Sequence, residues 1–305
     1  MSPHPSPHVS APQAKPHHVS ERLRRPVLLV HTKADLAKAR AALPGRVAVV
    51  PTMGALHDGH RANFRRAKEV ADSVIVTVFV NPLQFRPNED LDTYPRTLDA
   101  DLAMCEAEGI GLVFAPSVNE MYPDGREGLS TVHAGPDGDI LEGASRPGFF
   151  TGVLTVVSKL FHLTKPDVAC FGEKDFQQLA MVRRMVRDLD MGIAIEAVST
   201  DREPDGLARS SRNVFLSEAE RVAALAIPRA IAAAQDSPDP LAAARRTLAA
   251  EPGLDVDYVA VRANDLGEAP AQGPARLLIA AKAGHTRLID NAPVHIGPSQ
   301  IGDPR

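Results

Sequence analysis

Six short, almost wholly apolar runs punctuate the first two hundred residues, and a polar loop or a helical pattern separates each from the next. They are VLLVHT (27–32), RVAVVPT (46–52), SVIVTVFV (73–80), IGLVFAP (110–116), DVACFG (167–172) and GIAIEAVST (192–200). Runs that are apolar at nearly every position lack the alternation of a strand with one wet face. They read instead as strands covered on both sides. Helical patterns fall between most of them, at 33–43, 61–72, 98–109 (stopped by Gly109), 152–164 and 177–190. Strands joined by helices must run parallel, because each crossover returns the chain to the same end of the sheet. The expectation is therefore an α/β fold, a parallel sheet with helices on both faces. In such sheets ligands bind at the carboxyl ends of the strands. The polar, glycine-containing segments MGALHDGH, NPLQF and GEKDFQQ follow strands, where that rule places a site.

After about residue 200 the pattern changes. The polar segment TDREPDGLARSSRN leads into Ala-rich helical patterns at 218–236 and 240–250, and strand patterns follow at 255–262 and 275–284. This reads as a smaller α+β unit. A chain of 305 residues suits two domains. Residues 1–25, rich in Pro, His and Ser without apolar period, read as a disordered tail. The expected division is thus 1–25, 26–200 and 201–305.

Composition narrows the function. Lys and Arg number 34 against 38 Asp and Glu, a net charge of −4, so no basic surface for nucleic acid is expected. No apolar stretch approaches the length of a membrane span. Two cysteines, Cys105 and Cys170, cannot make a disulfide framework or a structural zinc site and read as buried fillers. With no apolar segment at the N-terminus, a cytoplasmic protein is expected.

His57-Asp58-Gly59-His60 lies between a buried strand and a helix. Two histidines three apart on a first helical turn project to one side, where free N–H groups and the helix dipole add positive potential. That arrangement can cradle a polyphosphate. Zinc ligation and simple capping are the rival readings, although the HExxH carboxylate is lacking. Gly172-Glu173-Lys174-Asp175 offers a mobile cation beside a carboxylate, which would equally suit a solvated turn. Arg209-Ser210-Ser211-Arg212-Asn213 has the makings of a phosphate clamp on a loop that could close, or of an ordinary exposed loop. Amides at strand-end loops (Asn81, Gln84, Gln177 and Gln178) can bind hydroxyls and carboxylates without adding charge. Met53, Phe79, Val156 and Val157 could wall a small-molecule pocket or simply fill the core.

Taken together, PTMGALHDGH, FVNPLQF, DLDTYPRT, FGEKDFQQL and SSRN, in this order, resemble the pantothenate synthetase (pantoate–β-alanine ligase) family of the nucleotidyltransferase superfamily. The likeness spans about residues 28–290. It implies a Rossmann-like domain with a C-terminal lid, a cytoplasmic homodimer, and ATP-dependent condensation of pantoate with β-alanine through pantoyl adenylate, releasing AMP and pyrophosphate. Magnesium would accompany ATP. Carried onto this chain, it implies that Met53, Gly54, Ala55, Leu56, His57, Asp58, Gly59 and His60 hold ATP, with His60 the proton donor. Gly172, Glu173, Lys174 and Asp175 would hold ribose and phosphate. Arg209, Ser210, Ser211 and Arg212 would close on the phosphates, with Lys174 and Arg212 neutralising charge. Asp201 would meet adenine through its backbone. Gln84, Gln178 and Asn81 would grip pantoate, and Asp101 would neighbour magnesium. Four positions depart from the family pattern: Asp58 for Glu, Phe149 for His, Asp201 for an apolar residue and Arg209 for Met. Phe149 is therefore assigned no catalytic role. Arg209 would add a charge near the phosphates.

Overall fold

The computed structural model describes residues 26–85, 91, 92 and 94–298. The tail expected at 1–25 lies outside the described residues, as do parts of the loop after residue 85. The elements run β1 (Leu28–Val30), α1 (Lys33–Ala41), β2 (Val47–Thr52), α2 (Asp58–Val70), β3 (Ser73–Val78), α3 (Leu98–Ala107), β4 (Leu112–Phe114), α4 (Val118–Met121), α5 (Glu142–Ser145), α6 (Phe149–Thr164), β5 (Val168–Gly172), α7 (Phe176–Asp188) and β6 (Ala194–Val198). After these come α8 (Glu218–Ala224), α9 (Ala226–Gln235), α10 (Pro240–Ala249), β7 (Leu254–Arg262), β8 (Gly273–Ala283) and β9 (Thr286–Ile296).

β1 to β6 form one parallel sheet in the order β1-β4-β3-β2-β5-β6. Its strands alternate between two apolar layers. Val47 and Val49 of β2 join one core with Ile75, Ala169 and Phe171. Ala48 and Val50 join the other with Val74, Val76, Val168 and Cys170. Both faces are dry, which is why these strands read as unbroken apolar runs. The chain leaves β2 toward β3 and β4 and later returns to β5 on the other side of β2. The crevice between β2 and β5 is thus the topological switch point, where such sheets bind ligands.

α6 carries the predicted apolar run but begins at Phe149, three residues earlier than expected. Gly152 lets it lie against the 3₁₀ turn Pro82–Gln84, because a Cβ there would stand 2.2 Å from the Leu83 carbonyl oxygen. α2 also starts three residues early, at Asp58, since His57 caps it. The helix expected over 218–236 divides into α8 and α9, with Pro228 in the first turn of the second, where its missing N–H costs nothing.

β7, β8 and β9 make a second, antiparallel sheet. It packs under α9 and α10 around a separate apolar cluster that includes Ile227, Ile231, Leu248, Leu277 and Ile279. β9 is a strand the sequence reading missed. Asp290-Asn291-Ala292-Pro293 looks like a turn, yet β9 lies at a sheet edge, where Pro293 removes no necessary ladder bond.

Candidate active site

The loop after β2 is held from below. Ala55 N and Leu56 N donate to the two oxygens of Asp101, at 3.2 and 2.8 Å, and Thr97 Oγ1 donates to the same carboxylate at 3.2 Å. Gly54 has a φ of +82°, and a Cβ there would lie 2.9 Å from Asp101 Oδ2, so only glycine lets the loop sit on this carboxylate. Asp101 is the residue that the family resemblance places beside magnesium. Its side chain is buried and occupied by three donors, and it shapes the loop. Among the described residues no group of three or more His, Cys, Asp or Glu side chains could hold a metal ion.

His57 is the N-cap of α2. Its Nδ1 accepts from Gly59 N at 3.2 Å, and His60 Nδ1 accepts from His57 N at 3.1 Å, so two imidazoles form a capping box. The rings stand 4.2 Å apart between centroids. A ring nitrogen that accepts from an amide carries no proton, so each neutral ring keeps its hydrogen on Nε2. Burial first, then the Lys174 charge, lowers the pKa of His57, and the Arg209 charge adds to this against the opposing pull of Asp58 and Asp201. Burial, His57 and Lys174 together push His60 down to about 3. His60 is therefore held neutral and presents its Nε2 hydrogen as a donor.

These shifts make stability depend on pH. With both folded-state values below the ordinary 6.5, the unfolded chain takes up protons that the fold refuses as pH drops through that point. Stability present above pH 6.5 is then lost on acidification, at up to about 1.4 kcal/mol per pH unit for His60. Between about pH 7 and pH 5, a His60→Gln variant should lose about 2 kcal/mol less than the unaltered chain in urea denaturation. Equal losses would mean that His60 protonates freely within the fold.

On the other side of the switch point, the 3₁₀ turn Glu173–Asp175 follows β5 and carries Lys174. Its ammonium approaches Asp175 only to 4.0 Å, a weak pair. From β3, Asn81 donates to Gln84 Oε1 (3.1 Å) and to the Gly152 carbonyl (3.2 Å), and it accepts from Tyr122 Oη (2.8 Å) and Leu83 N (3.3 Å). Asn81, expected to grip substrate, lines the cavity with its amide held by these four partners. It positions Gln84, whose Nε2 lies 2.9 Å from Met53 Sδ. Gln177 is likewise tied to the backbone around residues 137–142; both it and Gln178 line the cavity.

The third stretch is the loop 201–213. Three of the four departures from the family pattern meet here: Arg209 pairs with Asp201 at 2.7 Å and reaches Asp58 at 3.7 Å. The charge Arg209 adds is thus answered by two carboxylates and is not left facing the phosphate region unpaired. The Ser210 hydroxyl accepts from Arg212 N at 3.2 Å, and Asn213 ties the loop to Glu203 and to the Ala208 carbonyl. The Arg212 side chain has no ion-pair or hydrogen-bond partner among the described residues.

These stretches converge on a cavity of about 900 Å³. Its wall includes Met53, His57, Gly59, His60, Gln84, Gly172, Lys174, Asp175 and Gln178 from the first sheet's loops, and Asp201 with Arg209 to Arg212 from the third stretch. Phe79, Val156 and Val157 line its apolar side. Gly54, Ala55, Leu56, Asp58 and Glu173, also expected around ATP, are not among the residues that line this cavity. Phe149 lines the cavity with the Arg146 guanidinium 3.8 Å from its ring centroid.

Several cavity residues escaped the sequence reading: Asn63, Glu142, Tyr258, Arg287 and Asn291. The Asn63 carbonyl oxygen is buried without a partner, one helical turn past His60. Arg287 and Asn291 lie on the missed β9. The signal available was a polar Asp290-Asn291 pair between the apolar pairs Leu288-Ile289 and Ala292-Pro293.

The pantoate–β-alanine ligase family model matches residues 28–293. The pantothenate synthetase of Salinispora arenicola is 54% identical over 278 residues, covering 88% of this chain and 98% of that one. That of Nocardia farcinica is 55% identical over 275 residues, covering 88% and 86%. Among solved structures, the pantothenate synthetase of Thermus thermophilus superposes with a TM-score of 0.80 at 45% identity, covering 87% of this chain and 99% of the other. The Francisella tularensis pantoate–β-alanine ligase, solved with β,γ-ATP and β-alanine, superposes with a TM-score of 0.74 at 33% identity, covering 87% and 97%. With this likeness running the length of both sheets, the chain belongs to the pantoate–β-alanine ligase family.

Proposed function

We propose that this chain is the ATP-dependent ligase that condenses pantoate with β-alanine to pantothenate, through pantoyl adenylate, with release of pyrophosphate and AMP. The observation that carries the reading is the convergence of His57, His60, Lys174 and Arg212, from three distant stretches, on one cavity whose wall also holds the amides of Gln84 and Gln178.

In the first half-reaction a pantoate carboxylate oxygen attacks the α-phosphorus of ATP, and the bond to the β,γ-pyrophosphate breaks. Two anions must meet, so the site has to offset their repulsion. The Lys174 ammonium and the Arg212 guanidinium supply full positive charge. The Nε2–H groups of His57 and His60 supply preset donors that carry no charge of their own. The hydroxyls of Ser210 and Ser211 add further donors. Gln84 and Gln178 hold pantoate through its hydroxyls and carboxylate. In the second half-reaction the β-alanine amine attacks the activated carbonyl, AMP leaves with the bonding electron pair, and the amine gives up its proton. No protein nucleophile is needed; burial raises both thiols, Cys105 and Cys170, to about 12.

Magnesium enters with the triphosphate as part of the substrate, a reading that suits a site whose buried carboxylate, Asp101, is already engaged. The unit from about residue 201 onward serves as the lid that keeps water from the adenylate. Its own apolar cluster and the cavity-lining loop 201–213 support that role. We further read the enzyme as a homodimer in the cytoplasm, on the family resemblance; sedimentation of the purified protein tests the dimer.

The deciding experiment is pyrophosphate release with Mg-ATP and pantoate, first without β-alanine and then with it. Pyrophosphate should appear with pantoate alone, and AMP and pantothenate should accumulate once β-alanine is added. Absence of AMP with all three substrates present would remove the reading.

A further inference from the structure

The turn that carries Lys174 has little of its own to hold it. It is three residues long, no side chain caps its start, and Asp175 at its end makes no capping bond to α7. Its anchor comes from the other sheet. Asn291 Nδ2 donates to the carbonyl oxygens of Glu173 (2.8 Å) and Lys174 (2.9 Å), across 118 and 117 residues of chain. A primary amide has two hydrogens, and both go to this turn. Asn291 is itself held: its backbone N donates to Asp290 Oδ1 at 2.8 Å, and Asp290 takes a two-pronged ion pair from Arg202 at 2.6 and 3.0 Å. Arg276, on the neighbouring strand β8, reaches Glu173 at 3.2 Å and stacks over the Phe176 ring at 3.9 Å. One dipeptide of β9 therefore grips both arms of the site: Asn291 holds the Lys174 turn, and Asp290 holds the root of the loop bearing Ser210, Ser211 and Arg212.

We propose that Asn291 is a positioning residue for Lys174, fixing through two main-chain hydrogen bonds where the ammonium stands relative to the reacting phosphates. The inference rests on the reading of Lys174 given above. Both amide hydrogens go to the carbonyls of Glu173 and Lys174, so the effect argued here passes through the turn that carries the lysine, although Asn291 also lines the cavity. A misplaced charge partner weakens the transition state more than it weakens substrate binding.

A double-mutant cycle on the full chain tests this. Asn291→Ala should lower the rate of pantoyl adenylate formation by about ten- to a hundredfold and leave the pantoate KM within about twofold. In a Lys174→Ala background the same substitution should cost less than about threefold, since its target is gone. Asn291→Asp keeps the shape but offers no hydrogen to either carbonyl. It should be at least as slow as the alanine variant, and it provides the measurement if alanine fails to fold. Equal fold-losses in both backgrounds would mean that Asn291 acts on the substrate directly or merely on folding, and would overturn the proposal. So would an aspartate variant with the unaltered rate. A slow Lys174→Ala enzyme beside a normal Asn291→Ala enzyme overturns this inference alone. A Lys174→Ala enzyme of undiminished rate overturns the reading of Lys174 and the inference with it.

Discussion

Lys174→Ala should slow pantoyl adenylate formation by about 10²–10³ and leave the fold intact. The size is that of removing one preset charge partner from a transition state in which negative charge gathers on phosphate oxygens. The selectivity follows from the geometry. The ammonium's ion contact is Asp175 at 4.0 Å, and the Asp175 side chain is half exposed, so little native stability depends on the pair. The lysine lies beside both imidazoles and lowers the pKa of each, so its removal should also let His57 and His60 protonate at higher pH. The check is a single-turnover measurement of pyrophosphate release beside a thermal melt. An unchanged melting point with a loss of 10² or more is the expected pair. A loss below threefold would count against the role, and a collapse of the melting point would show that the turn needs the side chain for its structure.

Glu142→Ala should destabilise the fold by about 3 kcal/mol or more. Glu142 belongs to α5 of the first unit, and its partners belong to the second. Arg287 Nη1 and Nη2 donate to its two oxygens at 2.8 and 2.6 Å, and Tyr258 Oη donates to Oε1 at 3.1 Å. Arg287 also reaches Asp257 at 2.6 Å, and Ser145 Oγ adds a bond to the same aspartate at 2.9 Å. Burial alone would lower the Arg287 pKa, but Glu142, with Asp257 behind it, holds the guanidinium well above its ordinary value. Truncating Glu142 leaves a mostly buried cation half-paired and a phenol without its acceptor, and both lose solvation that nothing replaces. Asp257 softens the loss, which is why the lower end of the range for a broken buried pair applies. Glu142→Gln, which keeps the shape and one acceptor oxygen, should cost less. Equilibrium denaturation measures the difference, and a melting-point drop on the order of 10 °C is the calorimetric counterpart. A cost below 1 kcal/mol for the alanine variant would mean that this contact does little to join the two sheets.

Much of the fold was legible because its signals are local. Continuous apolar runs marked β2, β3 and β5, and the positive-φ glycine at residue 109 marked the end of α3. The loops that line the cavity were found because strand ends are where polar, glycine-containing segments collect in such sheets. The boundaries that moved did so for identifiable reasons: an imidazole cap drew α2 back to Asp58, and a close helix–turn contact at Gly152 accompanies the early start of α6. β9 was hidden because a proline and a polar pair are tolerated at a sheet edge.

Residue type alone could not divide substrate contacts from the scaffold behind them. Asp101, Asn81 and Gln178 all sit in polar segments near strand ends. Asp101 is occupied by amides 45 and 46 residues away; Asn81 and Gln178 both line the cavity, but Asn81 is also held by a helix carbonyl 71 residues away. The order of strands and helices, the family and the loops of the site follow from the linear pattern, since periodicity and turn chemistry act over a few residues. Which amide, carboxylate or imidazole nitrogen is left over for a ligand depends on partners brought in from distant chain. A hydrogen bond is directional and each donor or acceptor has few to make, so that allocation is settled only when the two sheets close on one another.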